Sequence, residues 1–521
     1  MTRALKCTCA LALAFACSRP ALCQTRAASG EQRAARALDA ARAHPLELRA
    51  FLANMPKGGD LHNHLAGAVY AESWIIDGAQ DHLCVNISSL VLVLPLTAAG
   101  NAHSQSDCEK GNVPVERAYG DQHFYDALVD AFSMRGFVPS TGATAHDHFF
   151  DTFSKFEIVD PRHTGEWLDE VAARAAAQNE QYLELMVTPP FSHTAAIAKE
   201  LGWQPNPSFG EFRRQLLAHG LRDDVAVVRA ELDQAEAIRR ESEHCGASDQ
   251  AAACSVRICY VYQVLRAFPP EQVFAQTLLG FEAASADPRI VGINFVQPED
   301  SYVAMRDYAL HMKILQFLHG VYPNAHITLH AGELAPGLVP PEGLCCHIRL
   351  AVEQAHAERI GHGVDVMYED HPYELLREMA AKHVMVEINL TSNDVILGIT
   401  GKEHPLPIYR RYGVPVALST DDEGVSRIDL THEYVRAVET YGLRYGDLKQ
   451  MVRTSIEHSF LPGASLWRDH DRFRAPVSEC SADTRGAPKP SSKCAAFLRS
   501  SEKAQQEWEL EWRFEVFESS Q

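Results

Sequence analysis

The sequence is organised as short apolar runs that alternate with longer stretches of helical period. Each run is rich in Val, Ile and Leu and is bounded by Gly, Pro, Asn or Asp. Eight runs are predicted to be strands, at residues 59–65, 182–187, 256–264, 290–296, 326–330, 359–362, 384–389 and 416–420. Strands and helices in alternation indicate an α/β fold with a parallel sheet.

Two parallel architectures fit this alternation, a closed TIM-type (β/α)8 barrel and an open doubly wound sheet. A barrel carries its chemistry at the carboxyl ends of many strands, whereas an open sheet gathers it near one switch point. Here, His, Asp and Glu follow strands all along the chain, so we predict a barrel over residues 57–470, with helices at 166–179, 303–320 and 374–382 among its outer layer. The 521 residues suffice for one such domain.

Three segments lie outside the simple alternation. The connection after the first strand, about residues 69–166, is predicted to be an insertion with helices of its own that covers the strand ends as a lid. Residues 24–56 are predicted to form an N-terminal helical segment. Residues 471–521 are predicted to form a loop rich in Ser, Pro and Gly and then a final helix at 495–517.

Residues 1–23 have the pattern of a secretory signal peptide. Arg3 and Lys6 precede a short apolar run at 10–16, which small residues follow. The run is too short to span a bilayer, and no other apolar stretch of the sequence is long enough to do so. We therefore expect export, to the periplasm or the medium. Whether Cys17 carries a lipid anchor is left open, because Phe15 fits such a site poorly.

The cysteines also favour an oxidising compartment. Nine of the thirteen lie outside the predicted leader. Three local pairs each bracket a polar segment that a disulfide would tie down, although sequence alone leaves the connectivity open: Cys84 with Cys108, Cys245 with Cys254, and Cys480 with Cys494. Cys345 and Cys346 are adjacent, and no pair has C-x-x-C spacing, so a structural zinc cluster is not expected.

The net charge indicates what kind of partner the chain binds. A formal charge of -20 argues against a surface built for nucleic acid or for anionic membranes. We expect a small-molecule partner, no binding to nucleic-acid duplexes and no membrane span. The sequence leaves the oligomeric state open, a homo-oligomer included.

The first chemical pattern is a pair of histidines at the end of the first strand. His62 and His64 are two residues apart, so both imidazoles lie on one face of the strand. After a later strand, His330 is followed by Gly332, which permits a turn, and by the acid Glu333. One such pattern alone is weak, because a surface turn can hold the same residues.

Two more strand ends add ligands of the same kind. His362 stands between two glycines, and the neighbours Asp421 and Asp422 end the last strand, where their side chains point to opposite sides. One of these acids can therefore bind a metal while the other faces a substrate. Histidine and aspartate from four strand ends form the ligand set expected for Zn²⁺ or a similar divalent ion with a position open for water.

These patterns resemble the adenosine deaminases of the amidohydrolase superfamily. The resemblance covers residues 57–461 and rests on four motifs in order: Met55-Pro56-Lys57-Gly58-Gly59-Asp60-Leu61-His62-Asn63-His64, His330-Ala331-Gly332-Glu333, Arg359-Ile360-Gly361-His362-Gly363 and Ser419-Thr420-Asp421-Asp422. The leader and the long insertion are most similar to the exported, growth-factor-like branch of that family.

The resemblance implies the roles of the site residues. His62, His64, His330 and Asp421 would bind one Zn²⁺, which lowers the pKa of a bound water. Glu333 would give a proton to purine N1, His362 would hold the water and help to deprotonate it, and Asp422 would accept or share a proton at N7. Gly332 and Gln297 would also contact the substrate. The product would be a 6-oxo purine such as inosine, with ammonia.

Three positions depart from the family pattern. Ala66 stands where many relatives have an aspartate for the ribose, Asn294 where they usually have Asp, and Gln297 where they usually have Gly. Pro298 follows Gln297, so an extended conformation is expected there. Glu299 fits either a pocket residue or a solvated loop acid. The exact 6-aminopurine substrate is therefore open.

Other functions compete with this interpretation. Another amidohydrolase-type hydrolysis would keep the metal site, and a secreted receptor ligand with secondary deaminase activity would keep the leader. A cytidine-type deaminase would need H-x-E with P-C-x-x-C, which the sequence lacks. No basic cluster lies near the motifs to hold the phosphate of AMP.

Overall fold

The structure is a computed structural model that describes residues 29–96 and 108–521. Eight parallel strands form one sheet in chain order, each hydrogen-bonded to the next. They are β1 (Gly58–His64), β2 (Glu180–Val187), β3 (Arg257–Leu265), β4 (Ile290–Val296), β5 (His326–Ala331), β6 (Arg359–His362), β7 (Met385–Ile388) and β8 (Val416–Leu418). The predicted TIM-type (β/α)8 barrel is confirmed, and each predicted strand overlaps an observed one.

The barrel closes at the residues that follow β8. Asp421 donates its N–H to the carbonyl of His62 over 2.8 Å and accepts the N–H of His64 over 3.3 Å. Asn63 forms the corresponding parallel bridge with Asp421. Closure of the barrel therefore brings the first and last motifs into direct contact.

Helices cover the outside of the barrel, and their apolar side chains form one core with those of the strands. Those from Thr164 to Glu457 are Thr164–Ala177, Ser192–Leu201, Phe209–Ala218, Asp223–Ser242, Pro270–Ala286, Tyr302–Val321, His347–Glu353, Pro372–Lys382, Leu390–Leu397, Leu406–Tyr412, Glu423–Ser426, Leu430–Tyr441 and Tyr445–Glu457. The three helices predicted in this layer agree with the observed bounds to within two residues.

The insertion after β1 packs on the mouth of the barrel. It contains the helices Leu65–Ala68, Ala71–Gln80, Gln122–Ala131 and Ala145–Phe156 and a small antiparallel sheet of Cys84–Asn86, Leu92–Val93 and Asn112–Pro114. Its apolar core includes Trp74, Phe149 and Phe156 and extends to Ile396 and Val425, which follow β7 and β8. These aromatic residues therefore form the core of the insertion. The small sheet was not predicted.

The first and last described helices pack together against the barrel. The helices Gly30–Ala41 and Pro45–Asn54 precede β1, and Ser492–Arg499 and Glu502–Ser519 end the chain. The prediction of a single final helix at 495–517 is wrong. The helix is broken at Ser501, whose hydroxyl accepts the N–H of Ala504 and starts a new helix.

The three expected cysteine pairs are disulfides in the structure: Cys84–Cys108, Cys245–Cys254 and Cys480–Cys494. Cys345 and Cys346 form a fourth, which the sequence did not indicate. Within the described ranges, no helix has the length and apolarity that crossing a bilayer requires. The predicted signal peptide and Cys17 lie outside the described residues.

Candidate active site

Four side chains from three strand ends converge at the mouth of the barrel. The Nε2 atoms of His62 and His64 each lie 3.1 Å from Nε2 of His330. Oδ1 of Asp421 lies 3.4 Å from Nε2 of His62 and 3.2 Å from Nε2 of His64. Ligand atoms about 2.0–2.1 Å from a tetrahedral ion are separated by roughly this distance. The arrangement therefore fits a single divalent ion.

The protonation of these imidazoles also fits a metal site. Nδ1 of His62 lies 2.6 Å from a carboxylate oxygen of Glu387, and Nδ1 of His330 lies 2.9 Å from the amide oxygen of Asn294. Each Nδ1 therefore carries the proton, and each Nε2 presents a lone pair. Lone pairs that face one another at hydrogen-bond distance repel unless a cation lies between them.

His362 lies beside this group. Its Nε2 is within 4.8 Å of the ligand atoms of His62, His330 and Asp421. It is nevertheless 3.8 Å from Asp421 Oδ2, farther than the four side chains are from their nearest partners. We therefore place His362 next to the candidate ion.

A buried ion network supports His62. Glu387 accepts from Arg359 Nε over 2.7 Å and from the hydroxyl of Thr328 over 2.8 Å. Arg359 also lies 2.6 Å from Glu184. Although burial opposes ionisation, these partners hold the pKa of Glu387 below its usual value. His62 is thus backed by a full negative charge.

A neutral amide supports His330 instead. Asn294 Oδ1 accepts both the Nδ1–H of His330 and its backbone N–H, the latter over 3.1 Å. Nδ1 of His64 contacts the side-chain amide of Gln263. Asn294 therefore fixes the His330 ring without adding charge, at a position where the family pattern has an acid.

Glu333 is held on a tight turn after β5. Gly332 has a φ of 76°, and a Cβ there would lie 2.5 Å from Asp365 Oδ1, so the turn requires glycine. Glu299 accepts the N–H groups of Gly332 over 3.1 Å and of Glu333 over 2.8 Å, and Nδ1 of His347 over 2.5 Å. Glu299 is therefore neither a solvated loop acid nor a pocket residue. Its carboxylate instead anchors the turn that carries Glu333.

The carboxyl of Glu333 is buried next to other acids. Its side chain is only 6% exposed, and its Oε1 lies 3.7 Å from Nε2 of His362. Burial, and then the charge of Asp421, raise the pKa of Glu333 well above its usual value. The site therefore favours the protonated form of Glu333.

The two adjacent aspartates have opposite electrostatics. Burial alone would raise the pKa of Asp421, but its contacts with His62 and His64 hold it well below its usual value. Burial and the charge of Asp421 raise the pKa of Asp422 well above it. Neighbouring acids with diverging pKa values indicate different roles.

Asp422 is fitted against the short helix that follows β1. A Cβ at Gly67 would lie 1.6 Å from Asp422 Oδ1, so only glycine leaves room for this carboxyl. That oxygen is buried and has no protein hydrogen-bond partner. It is therefore available to a ligand. Ala66, on the same helix, is exposed.

The extended conformation expected at Gln297 is wrong. Its φ is 82°, in the left-handed region that favours glycine. Its carbonyl accepts Arg266 Nε over 2.9 Å and its side-chain oxygen accepts the Ala267 N–H over 2.9 Å. These bonds outweigh the preference imposed by Pro298. Arg266 also donates to the carbonyl of His330 over 3.2 Å, so it ties this loop to the site.

All the predicted ligands and acids thus meet at one end of the barrel, with Gln297 and Gly332 at its rim. The supporting residues Glu387, Arg359 and His347 were missed. A signal for the first two existed, because each is a charged residue inside an apolar strand run. His347 gave no signal, since its sequence context is that of any packed helix.

The sequence comparison decides the family. The family model described as adenosine deaminase matches residues 167–466, more than half of the chain. The chain belongs to the adenosine deaminase family. Its predicted place in the growth-factor-like branch stays a prediction.

Individual adenosine deaminases match part of the chain. The enzyme of Clostridium perfringens is 35% identical over 135 residues, 26% of this chain and 37% of that enzyme. The enzymes of Shewanella loihica and Escherichia coli are 36% and 37% identical over similar lengths, 26% of this chain and 38% of each enzyme. The match thus spans well under half of these relatives.

Solved structures with the same fold cover more of the chain. The Arabidopsis N6-mAMP deaminase is 20% identical, with a TM-score of 0.52 over 79% of this chain and 96% of that protein. An amidohydrolase from Burkholderia ambifaria, with bound Zn, is 16% identical, with a TM-score of 0.51 over 81% of this chain and 89% of that one. At these identities the likeness concerns the fold alone.

Proposed function

We propose that this chain hydrolyses adenosine, or a related 6-aminopurine nucleoside, to the 6-oxo purine and ammonia. Glu333 carries the proposal, because its buried carboxyl, whose pKa is raised by burial and by Asp421, lies 3.7 Å from His362 beside a cluster of metal-ligand atoms. A site that only binds a purine has no need of a buried proton donor in that place. Hydrolytic deamination does need one, since attack at C6 requires a proton on the ring.

The residues present fit Zn²⁺ as the ion. His62, His64, His330 and Asp421 would hold it, because three neutral imidazoles and one carboxylate are ligands that zinc prefers. When bound, the ion supplies Lewis acidity and lowers the pKa of water at the open position. The structurally similar Burkholderia amidohydrolase contains Zn.

The protein groups then orient the purine and move protons. Glu333 gives its proton to N1, which makes C6 more electrophilic. Asp422, whose pKa is also raised and whose Oδ1 has no protein partner, would accept or share a proton at N7 and fix the ring plane. Gln297 lines the rim that would face the opposite ring edge. The predicted contact of Gly332 with the substrate stays a prediction. The N–H of Gly332 is already donated to Glu299.

The test is ammonia release from a panel of purines and pyrimidines by the metal-loaded protein. We expect turnover of 6-aminopurine nucleosides and a loss of about 10²–10⁴-fold in Glu333→Gln, the usual contribution of a positioned acid. The exposed Glu342→Gln, in the same connection after β5, is the matched control and should keep full activity. If no aminopurine is turned over, the proposed function is wrong.

A separate measurement tests the ion. The double variant His62→Ala, His64→Ala should lose the ion in elemental analysis, whereas Glu333→Gln should retain it. Retention of one ion per chain by the double variant would contradict the ligand assignment.

We also propose that the protein works outside the cytosol, in the periplasm or secreted. The four disulfides support this location, because such bonds persist in oxidising compartments. Expression in a bacterial host should give a mature protein in the exported fraction that lacks about the first 23 residues. A full-length product that stays in the cytosol would contradict the proposal.

A further inference from the structure

A line of hydrogen bonds leads from His362 away from the candidate ion into the protein. Asn393 Nδ2 lies 2.8 Å from Nδ1 of His362, and Asn393 Oδ1 lies 3.0 Å from Nε2 of His404. The backbone N–H of Leu406 donates to Nδ1 of His404 over 3.1 Å. The side chains of His362, Asn393 and His404 are all buried.

The direction of this line is fixed at its far end. A backbone N–H can only donate, so Nδ1 of His404 is an acceptor and the single proton of the neutral ring is on Nε2. Burial lowers the pKa of His404 to about 3, which keeps the ring neutral. His404 therefore donates to Asn393 Oδ1, and this bond sets which way the Asn393 amide faces.

The orientation of Asn393 determines the proton of His362. Its amide nitrogen donates to Nδ1 of His362, so a neutral His362 ring carries its proton on Nε2. That nitrogen faces Glu333 Oε1 at 3.7 Å and Asp421 Oδ2 at 3.8 Å. A proton-bearing nitrogen therefore points into the reaction space.

The side-chain amide of Asn389 is consistent with this tautomer of His362 once its oxygen and nitrogen are assigned. The Asn389 amide lies 3.4 Å from Nε2 of His362, and its oxygen is buried without a partner. Both ring nitrogens of a neutral histidine cannot be acceptors. Because Asn393 is fixed by His404, the Asn389 oxygen must face Nε2–H, and this also gives that oxygen its missing partner.

We infer that Asn393 and His404 are positioning residues that hold His362 in the Nε2–H tautomer, so that it begins the reaction as a hydrogen-bond donor to the attacking water oxygen. In this form His362 holds the water but cannot take its proton. That proton passes instead to Glu333, which is a carboxylate once it has protonated N1 and which then protonates the departing amino group. This alters the role that the family resemblance implied for His362. The inference deepens the proposed function and rests on it.

Asn393→Asp is the decisive variant, since it has nearly the same shape and the opposite polarity. The carboxylate accepts from Nδ1 and moves the proton of His362 there. Nitrogen NMR of the zinc-loaded, histidine-labelled full chain separates protonated from unprotonated ring nitrogens. The His362 signals are identified by their loss in His362→Gln. We expect Nε2 protonated in the wild type and Nδ1 protonated in Asn393→Asp.

Activity provides the second readout. Asn393→Asp should lower kcat about 100-fold, a typical share for a correctly protonated catalytic group, with KM and zinc content within about twofold of wild type. His404→Phe frees the amide to turn and should also lower kcat. His404→Gln can still accept from Leu406 and donate to Asn393, so it should restore most of the activity.

Asp394→Asn is the matched control on the same helix. Asp394 pairs with Arg436 outside the site, so this variant should keep kcat and the His362 tautomer. A wild-type proton on Nδ1, or an unchanged tautomer and kcat in Asn393→Asp, would overturn the inference. A wild type that deaminates no purine but has Nε2 protonated would refute the proposed function and leave the tautomer assignment intact.

Discussion

The two sides of the candidate active site are supported in different ways. In what we call the charged half, Glu387 stands behind His62 and Glu299 behind Glu333. In the neutral half, the amides of Asn294 and Asn393 stand behind His330 and His362. Each of these carboxylates has a partner of its own. Glu387 is paired with the guanidinium of Arg359, and Glu299 is paired with the imidazole of His347.

The difference shows where the protein can accommodate charge. A carboxylate behind an imidazole raises its basicity as a ligand, but a buried charge is costly unless it is paired. The neutral half lies next to Glu333, Asp421 and Asp422, where three acids are already crowded. Amides there fix ring orientation without adding another negative charge.

The largest effect is expected from removing charge in the charged half. Glu387→Gln weakens the support of His62 and leaves Arg359 with Glu184 alone. We expect metal affinity to fall about 10–100-fold and the unfolding free energy to fall by about 3 kcal/mol. Competition with a chelator and denaturant titration measure the two. Unchanged metal affinity would remove the distinction between the halves.

Glu299→Gln should affect activity more than metal binding. Its two oxygens accept from the Gly332 and Glu333 N–H groups, and glutamine keeps only one acceptor oxygen. Charge-assisted bonds of this kind contribute about 1.5–3 kcal/mol, so we expect kcat to fall roughly tenfold or more. Elemental analysis should find normal metal content. If metal is lost together with activity, Glu299 supports the ligand cluster as well.

The pH dependence of kcat tests the acid that Glu299 positions. Glu333 must be protonated, so kcat should fall as pH rises through its raised pKa. The charge of Glu299 contributes to that rise. In Glu299→Gln the pKa of Glu333 should therefore fall, and the alkaline limb should move to lower pH. A shift to higher pH would contradict this assignment.

The smallest effect is expected in the neutral half. Asn294→Asp places a carboxylate behind His330 and should tighten metal binding severalfold, because the imidazole becomes more basic. The unfolding free energy of the metal-free protein should fall modestly, because the new carboxylate is buried near other acids although the size of the side chain is kept. Metal competition against wild type measures the change. Weaker binding would mean that the crowded acids exclude further charge.

Much of the site could be predicted from sequence because its residues follow strands directly. Parallel strands in a barrel end at one rim, so local motifs such as His62 with His64 meet once the fold is known. Glu387 and Arg359 behave differently, because their pairing depends on strands β6 and β7 lying side by side. The turn at Gln297 was mispredicted, since local sequence favoured an extended chain and contacts with Arg266 and Ala267 decided otherwise.

The fit of Asp422 against Gly67 bears on how this family can diverge. A side chain at position 67 would displace the aspartate that we assign to purine N7, so a lineage could not replace Gly67 and keep that contact. Glycine here is a requirement of the aspartate's position, although the two residues are far apart in the sequence. Homologues in which both have changed are therefore the ones in which to look for an altered substrate.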